Sequence, residues 1–389
     1  MVLQDILWLL LPVAAASGWY AAKRNARMTE VPRNDYTPAY FKGLNFLLNE
    51  QPDKAIDVFV QMLEVDSETV ETHLALGNLF RRRGEVDRAI RIHQNLIARP
   101  TLNRGHRAQA LLELGQDYMR ACLFDRAENL FNELDEMKSH QEPALQNLLI
   151  IYQQEKDWEK CLQVASRLGQ ISGRSLKLER AHYYCELAEE AELSGDRAQT
   201  MHYLKNAQAC DADCVRATLI KGKLEVGDGA CASAIETLEK VERQDAEYLP
   251  EVLPMLLECY RQTGNREDLS LFLRQLYQRN HGIDPALALT DMIQADEGEA
   301  AAVEFLSAYL QKYPDIEGMD RLIALGVKEM EGSAADMLQL LRQLLKKLLA
   351  GRPGYQCTHC GFMAKTLHWQ CPGCKTWSRI KPVHGSSQI

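Results

Sequence analysis

Residues 70–98 read VETHLALGNLFRRRGEVDRAIRIHQNLIA, and four positions in this stretch recur elsewhere in the chain. Gly77 repeats Gly43 at a distance of 34 residues, and Ala89 repeats Ala55 at the same distance. One unit further on, Gly115 and Ala127 both follow by 38 residues, so a single four-residue insertion is registered by two markers at once. Cys161 then follows Ala127 by 34. The offset from glycine to alanine is 12 in each of three units, and an aromatic stands three residues after each glycine (Phe46, Phe80, Tyr118), with Tyr152 supplying the fourth. Phe59 and Phe131 follow Ala55 and Ala127 by four residues, where the second unit carries His93. Later units lose the first-helix glycine in this reading. They keep a turn glycine at Gly195, Gly229, Gly264 and Gly298.

A 34-residue period with small residues where two helices cross, and aromatics beside the crossing, resembles the tetratricopeptide repeat. Gly or Ala lets two helix backbones approach, and an aromatic in the next turn closes the gap. Units are expected to begin near 36, 70, 108, 142, 181, 215, 250 and 284. The chain is therefore read as all-α, with about eight repeats over 36–317 forming a superhelical solenoid. Such an array binds partners on the concave face, lined by the first helix of each pair. Composition agrees. Gly and Pro together are 36 of 389 residues, below the usual ~12%, and 46% of residues are apolar, enough to bury a core.

The ends differ from the body in charge. The chain carries a net −9, but residues 23–33 carry +3, the stretch 34–350 carries −16 and residues 351–389 carry +5. An acidic body argues against a protein that coats nucleic acid. From Ile6 to Ala22 runs an uncharged stretch, ILWLLLPVAAASGWYAA. At ~1.5 Å per residue it spans roughly 25 Å, near the lower limit for a bilayer. A cleaved signal peptide and a buried core helix compete with a membrane span. The first wants basic residues before the apolar run, where only Asp5 stands, and the second does not need Lys23, Arg24 and Arg27 directly after it. Residues 1–22 are thus expected to be a single transmembrane anchor, 23–35 a basic juxtamembrane segment, and the remainder cytoplasmic by the positive-inside rule.

Residues 318–352 are read as capping helices. The last begins at Ser333 with Asp336 three residues on, a capping-box-like start. Its leucines cap the solenoid, and a membrane-surface helix is the competing reading because its polar side carries Arg342, Lys346 and Lys347.

Residues 353–389 hold Cys357-Thr-His-Cys360-Gly361-Phe362 and Cys371-Pro372-Gly-Cys374, two CxxC knuckles ten residues apart. Four thiolates at this spacing fit one tetrahedral ion, Fe or Zn, with no open position for an activated water. His359 and His368 are surplus as ligands. The CxxCG(F) and CPxC pieces resemble a shortened rubredoxin or zinc ribbon. With the ion bound, the tail charge falls from +5 to +3. Docking of this tail onto the acidic body is expected, with the Leu-rich helix 333–350 as its seat. Of the other cysteines, Cys122, Cys161 and Cys185 are read as small buried residues, and a second metal site around Cys210, Cys214 and Cys231 as a minor alternative. Free thiols beside a metal-thiolate site indicate a reducing compartment. No GxxxxGK[ST], GxGxxG, HExxH or GxSxG motif is present, so no enzyme activity is expected, and the carboxylates are read as solvated helix faces.

The succession of anchor, basic segment, repeat array and four-cysteine ribbon resembles the lipopolysaccharide assembly protein B family along the whole chain. The resemblance implies an inner-membrane adaptor that promotes turnover of the committed UDP-acyl-GlcNAc deacetylase by a membrane AAA+ protease, with other envelope-assembly proteins of that membrane as partners. Only Cys357, Cys360, Cys371 and Cys374 carry over as site residues. A rubredoxin-like electron carrier and a nucleic-acid-binding ribbon are the competing functional classes, and homo-oligomerisation is left open.

Overall fold

The computed structural model describes residues 70–383 apart from 101, 280, 281, 328–332 and 351, together with residues 16–21 and scattered positions between 41 and 58. Most of the expected anchor lies outside the described residues. Residues 16–21 are helical and exposed, and among the described residues no helix is long and apolar enough to cross a membrane. The chain divides into two units, Met1–His140 and Gln141–Ile389.

The first unit holds α1 (Val70–Arg82), α2 (Val86–Ile97), α3 (Arg104–Arg120) and α4 (Phe124–Glu136). The second continues with α5 (Gln141–Glu155), α6 (Trp158–Ser172), α7 (Lys177–Leu193), α8 (Arg197–Cys210), α9 (Val215–Gly227) and α10 (Cys231–Leu238). A short α11 (Lys240–Asp245) and a 3-10 turn (Ala246–Tyr248) precede α12 (Leu249–Thr263), α13 (Arg266–Gln278), α14 (Ile283–Glu297) and α15 (Glu299–Lys312). Then come α16 (Ile316–Gly326), α17 (Ser333–Ala350) and a three-stranded antiparallel sheet. Side chains cap the starts of α3, α6, α8 and α16: Asn103, Asp157, Asp196 and Asp315 each accept from a backbone N–H of the first turn, satisfying donors the helix leaves without partners.

The small-residue markers described sit where helices cross. Ala55, Ala89, Ala127 and Cys161 are fully buried. A Cβ built on Gly77 would stand 2.3 Å from His93 Nε2, and one on Gly115 would stand 2.5 Å from Phe131 Cε1, so the glycines exist to admit those rings. The later units do not all lose this glycine. Gly222 lies seven residues into its unit, as Gly77 does, and a Cβ there would meet Leu238 Cδ2 at 2.3 Å. With leucine in place of an aromatic, the pairing escapes a search for glycine and ring together. The alanine position also continues, as the fully buried Thr200, Ala234 and Ala302.

Turns within pairs require a left-handed residue. Gly84, Gly195, Gly229, Gly264 and Gly298 adopt positive φ there, and Cys122 and Lys156 take the same role with φ of 57° and 59°. Cys122 is therefore an exposed turn residue rather than a buried core residue, whereas Cys161 and Cys185 are buried.

Not every carboxylate is a solvated face. In the first unit Asp117 is fully buried, accepting from Arg81 at 2.8 Å and lying 2.5 Å from His93 Nδ1, while Arg81 also binds Glu113 at 2.6 Å. In the second unit the buried Arg216 holds Glu186 and Glu189 at 2.7 and 2.9 Å. Buried ion groups of this kind stand because each charge keeps its partners.

Candidate metal centre

β1 (Tyr355–Cys357) lies between β2 (Met363–Ala364) and β3 (Ile380–Pro382), pairing antiparallel with both. One loop joins β1 to β2, a second is flanked by the isolated bridge between Gln370 and Trp377, and the two are built alike. In the first, Gly361 N–H donates to Cys357 O at 2.9 Å and Cys357 N–H to Phe362 O at 2.8 Å. In the second, Lys375 N–H donates to Cys371 O at 2.8 Å and Cys371 N–H to Thr376 O at 2.9 Å. The residue after each second cysteine takes positive φ, 76° at Gly361 and 59° at Lys375. Glycine adopts that conformation freely, whereas a lysine there is strained.

The two loops bring Cys357, Cys360, Cys371 and Cys374 together, every Sγ within 4.8 Å of the others. Cys357 and Cys374 are 3.7 Å apart, and Cys360 and Cys371 are 3.6 Å apart. A tetrahedron with metal–sulfur bonds of about 2.3 Å has edges of about 3.8 Å, so the donor set fits one thiolate-bound ion. Iron and zinc both suit it. Among the described residues no other cluster of three or more such donors forms. Cys214 instead faces Cys185 at 3.9 Å, and Cys231 donates to Gln262 at 3.0 Å.

The loops also tune the thiols. Cys374 is drawn down to about 6, first by the Thr376 hydroxyl and then by the Thr376 N–H. Burial opposes ionisation of Cys357, but the N–H groups of Cys360 and His359 bring it below its ordinary value. At Cys360 the Phe362 N–H pulls downward, yet burial and the hydrogen bonds to Cys371, Cys374 and Cys357 push it up to about 12. Four converging sulfurs keep protons among themselves until a cation replaces them.

The ribbon is seated within the second unit. Trp377 is nearly buried, stacking on His182 at 4.8 Å between centroids and meeting Tyr183 and Trp158 edge-on at 5.9 and 6.4 Å. Trp369 lies against Tyr248 at 5.2 Å and His182 at 5.9 Å. Polar contacts surround these rings. His182 Nε2 and Ser378 Oγ are 2.6 Å apart, Gln370 donates to Gln153 at 3.1 Å, Tyr248 to Ile380 O at 3.0 Å, and Tyr355 to Glu251 at 2.5 Å. Lys381 pairs with Asp245 and Glu247 while lying 4.1 Å over the Tyr248 ring. Burial, reinforced by the Arg216 guanidinium, pushes His182 down to about 3, so the stacked imidazole is neutral.

The seat is therefore not the 333–350 helix. It comprises α5, α7 and α12, the first helices of their pairs, with Trp158 from α6 and the turn around Tyr248. α17 instead packs on α16, where Arg342 Nε donates to Asp320 at 3.1 Å. Charge attracts the tail to the body through a single lysine, but the seat is specified by rings that have no charge. Trp158, His182, Tyr183 and Tyr248 carried no mark in the sequence beyond being apolar or aromatic on helices.

The profile of the rubredoxin metal binding domain matches residues 355–382, and that of the tetratricopeptide repeat matches residues 72–108. Among solved structures, MamA aligns with 44% of this chain and 94% of its own at 19% identity, with a TM-score of 0.31. Lipopolysaccharide assembly protein B of Escherichia coli (strain K12) is 42% identical over 383 residues, covering 98% of both chains. The protein of the same name from Haemophilus influenzae (strain ATCC 51907 / DSM 11121 / KW20 / Rd) is 36% identical over 97% of this chain and 98% of its own. Relatives named for assembly, with a tetratricopeptide repeat in this chain, mark a scaffold type of protein. With identity of this order along its whole length, the chain belongs to the lipopolysaccharide assembly protein B family.

Proposed function

We propose that the chain is a membrane-anchored adaptor in lipopolysaccharide assembly. Residues 1–22 hold it in the inner membrane, and the repeats act from the cytoplasmic side. A membrane helix raises the effective concentration of the solenoid near membrane partners without adding contact energy. The observation that carries the role is the match to proteins named for lipopolysaccharide assembly over 98% of both chains, repeats and ribbon together. In this reading the solenoid recruits two clients, the UDP-acyl-GlcNAc deacetylase and a membrane AAA+ protease, and so sets the rate at which the deacetylase is removed.

A bound ion would be held by four metal–sulfur bonds and would tie the two loops of the ribbon together. Cys357, Cys360, Cys371 and Cys374 hold it, and Trp369 and Trp377 then carry the folded ribbon into its seat. Its contribution is a shaped surface on the first helices of the second unit, where a repeat array ordinarily takes a partner.

The test is the half-life of the deacetylase in cells whose own copy is replaced by variants. Deleting residues 1–22, or substituting Cys357→Ser with Cys371→Ser, is expected to lengthen that half-life several-fold while the repeat helices still fold. An unchanged half-life in both would remove the proteolysis reading. Reversible one-electron reduction of the iron-loaded chain, with the half-life unchanged, would favour the electron carrier.

A further inference from the structure

Among the described residues the outward face of α17 is left exposed. Leu338, Leu345 and Leu349 are half-buried, while Arg342 ties the helix to Asp320 of α16. On the other side Met337, Leu340, Leu341, Leu344 and Leu348 are between 48% and 70% exposed. At 100° per residue these five fall within one stripe about 100° wide. They present on the order of 500 Å² of contiguous apolar surface, a size of patch that on monomers is often functional.

We propose that this stripe is a self-recognition surface on which α17 of a second copy lies antiparallel. Three observations select that occupant. The first is spacing. Positions 337, 341, 344 and 348 are separated by four, three and four residues, so the pattern reads the same from either end. A two-fold axis between residues 342 and 343 sets Met337 against Leu348 of the second copy and Leu341 against Leu344. This is the layer pattern of an antiparallel helix pair and the self-complementarity an isologous interface requires. The second is charge. Asp336 and Lys347 lie about 20° apart around the helix axis, on the same edge of the stripe. Antiparallel pairing places Asp336 beside Lys347 of the second copy at both ends, whereas parallel pairing puts this edge of the two copies on opposite sides, where the charges do not meet. An anionic bilayer would gain from Lys347 but not from Asp336 on that edge, and Lys346 points away from the stripe. The third is area. Two such faces bury about 1,000 Å², at the lower edge of specific interfaces, which fits a reversible dimer.

The full-length, metal-loaded chain in mild detergent is the material for the test, read by sedimentation equilibrium. A monomer–dimer equilibrium is expected. Leu344→Glu buries two carboxylates in the pair and should raise the dissociation constant at least about a hundredfold. The side chain is exposed, and an unchanged helical signal verifies folding. Asp336→Lys and Lys347→Asp should each weaken the dimer about tenfold, because every contact occurs twice, and the double variant should recover most of the loss. A photo-crosslinking residue at position 337 should capture the peptide containing residue 348 of the second copy. Capture of the peptide containing residue 337, or a monomer at about 100 μM, overturns the proposal. Quenching of a dye on residue 344 by brominated phosphatidylglycerol vesicles, in a chain that stays monomeric, assigns the face to lipid and overturns it equally.

Discussion

Replacing Trp377 with alanine should unseat the ribbon without emptying its metal site. The indole is 6% exposed and fills the space between His182, Tyr183 and Trp158. Truncating a buried tryptophan costs about 3–5 kcal/mol. The polar contacts that remain across the seat (Gln370 to Gln153, Tyr248 to Ile380 O, Tyr355 to Glu251, Lys381 to Asp245) contribute about 0.5–1.5 kcal/mol each. Loss of that burial should raise the open fraction by about two to four orders of magnitude, while these contacts and the Trp369 stacking remain. Within the ribbon, Trp377 contributes a backbone bridge to Gln370, which alanine retains, and the four sulfurs are untouched. Hydroxyl-radical footprinting reads the result directly. Oxidation of Tyr183, Tyr248 and Trp369 should rise while metal content stays at one ion per chain and helical signal is kept. Unchanged footprints with lost metal would show that Trp377 serves the ribbon's own fold, and the account of the seat would be wrong.

Three further outcomes are expected. Arg81→Met leaves Asp117 and Glu113 without their shared guanidinium and should destabilise the first unit by about 3–5 kcal/mol in urea unfolding; Asp117→Asn in the same chain should recover part of that, and no recovery would deny the charge origin. Gly222→Ala forces a methyl against the fully buried Leu238 and should cost about 1–3 kcal/mol, whereas Gly227→Ala, with open space around its Cβ, should be neutral or better by the same measurement. His182 has a folded value near 3 against 6.5 when exposed. A depressed value means its contribution is fully present above pH 6.5 and is lost as pH falls toward 3, at about 1.4 kcal/mol per unit. Footprinting of Tyr248 between pH 7.5 and 5.5 should show loosening below 6.5, and His182→Gln should flatten that dependence.

The array was legible because a solenoid repeats its demands. Each pair needs a small residue at the crossing and a left-handed residue in the turn, so Ala89 or Gly195 is a datum about every unit. Legibility fails where a demand can be met by a different residue. Leu238 replaces a ring opposite Gly222, and Cys122 and Lys156 occupy the turn position despite the strain of positive φ. The buried Arg81–Asp117–His93 group was hidden for another reason. Helical spacing places Asp117 on a helix, but the partners that let it be buried come from two other helices.

The metal site and its seat show the same contrast at one end of the chain. Two CxxC pairs state their chemistry in eight residues, since sulfur count and loop length leave little else that a chain could do with them. The seat is assembled from Gln153, Trp158, His182, Tyr183, Asp245, Tyr248 and Glu251, scattered over about a hundred residues, none unusual alone. Charge bookkeeping found the attraction, which resolves to Lys381 against Asp245 and Glu247, but pointed to the wrong helix, because net charge carries no direction and leucine content does not distinguish a face that is covered from one that is not. The same leucines explain that misplacement. α17 lies against α16 with Leu338, Leu345 and Leu349 half-buried, while Met337, Leu341, Leu344 and Leu348 stay exposed among the described residues. Their palindromic spacing suits a reversed copy of the same helix, the occupant proposed for that face.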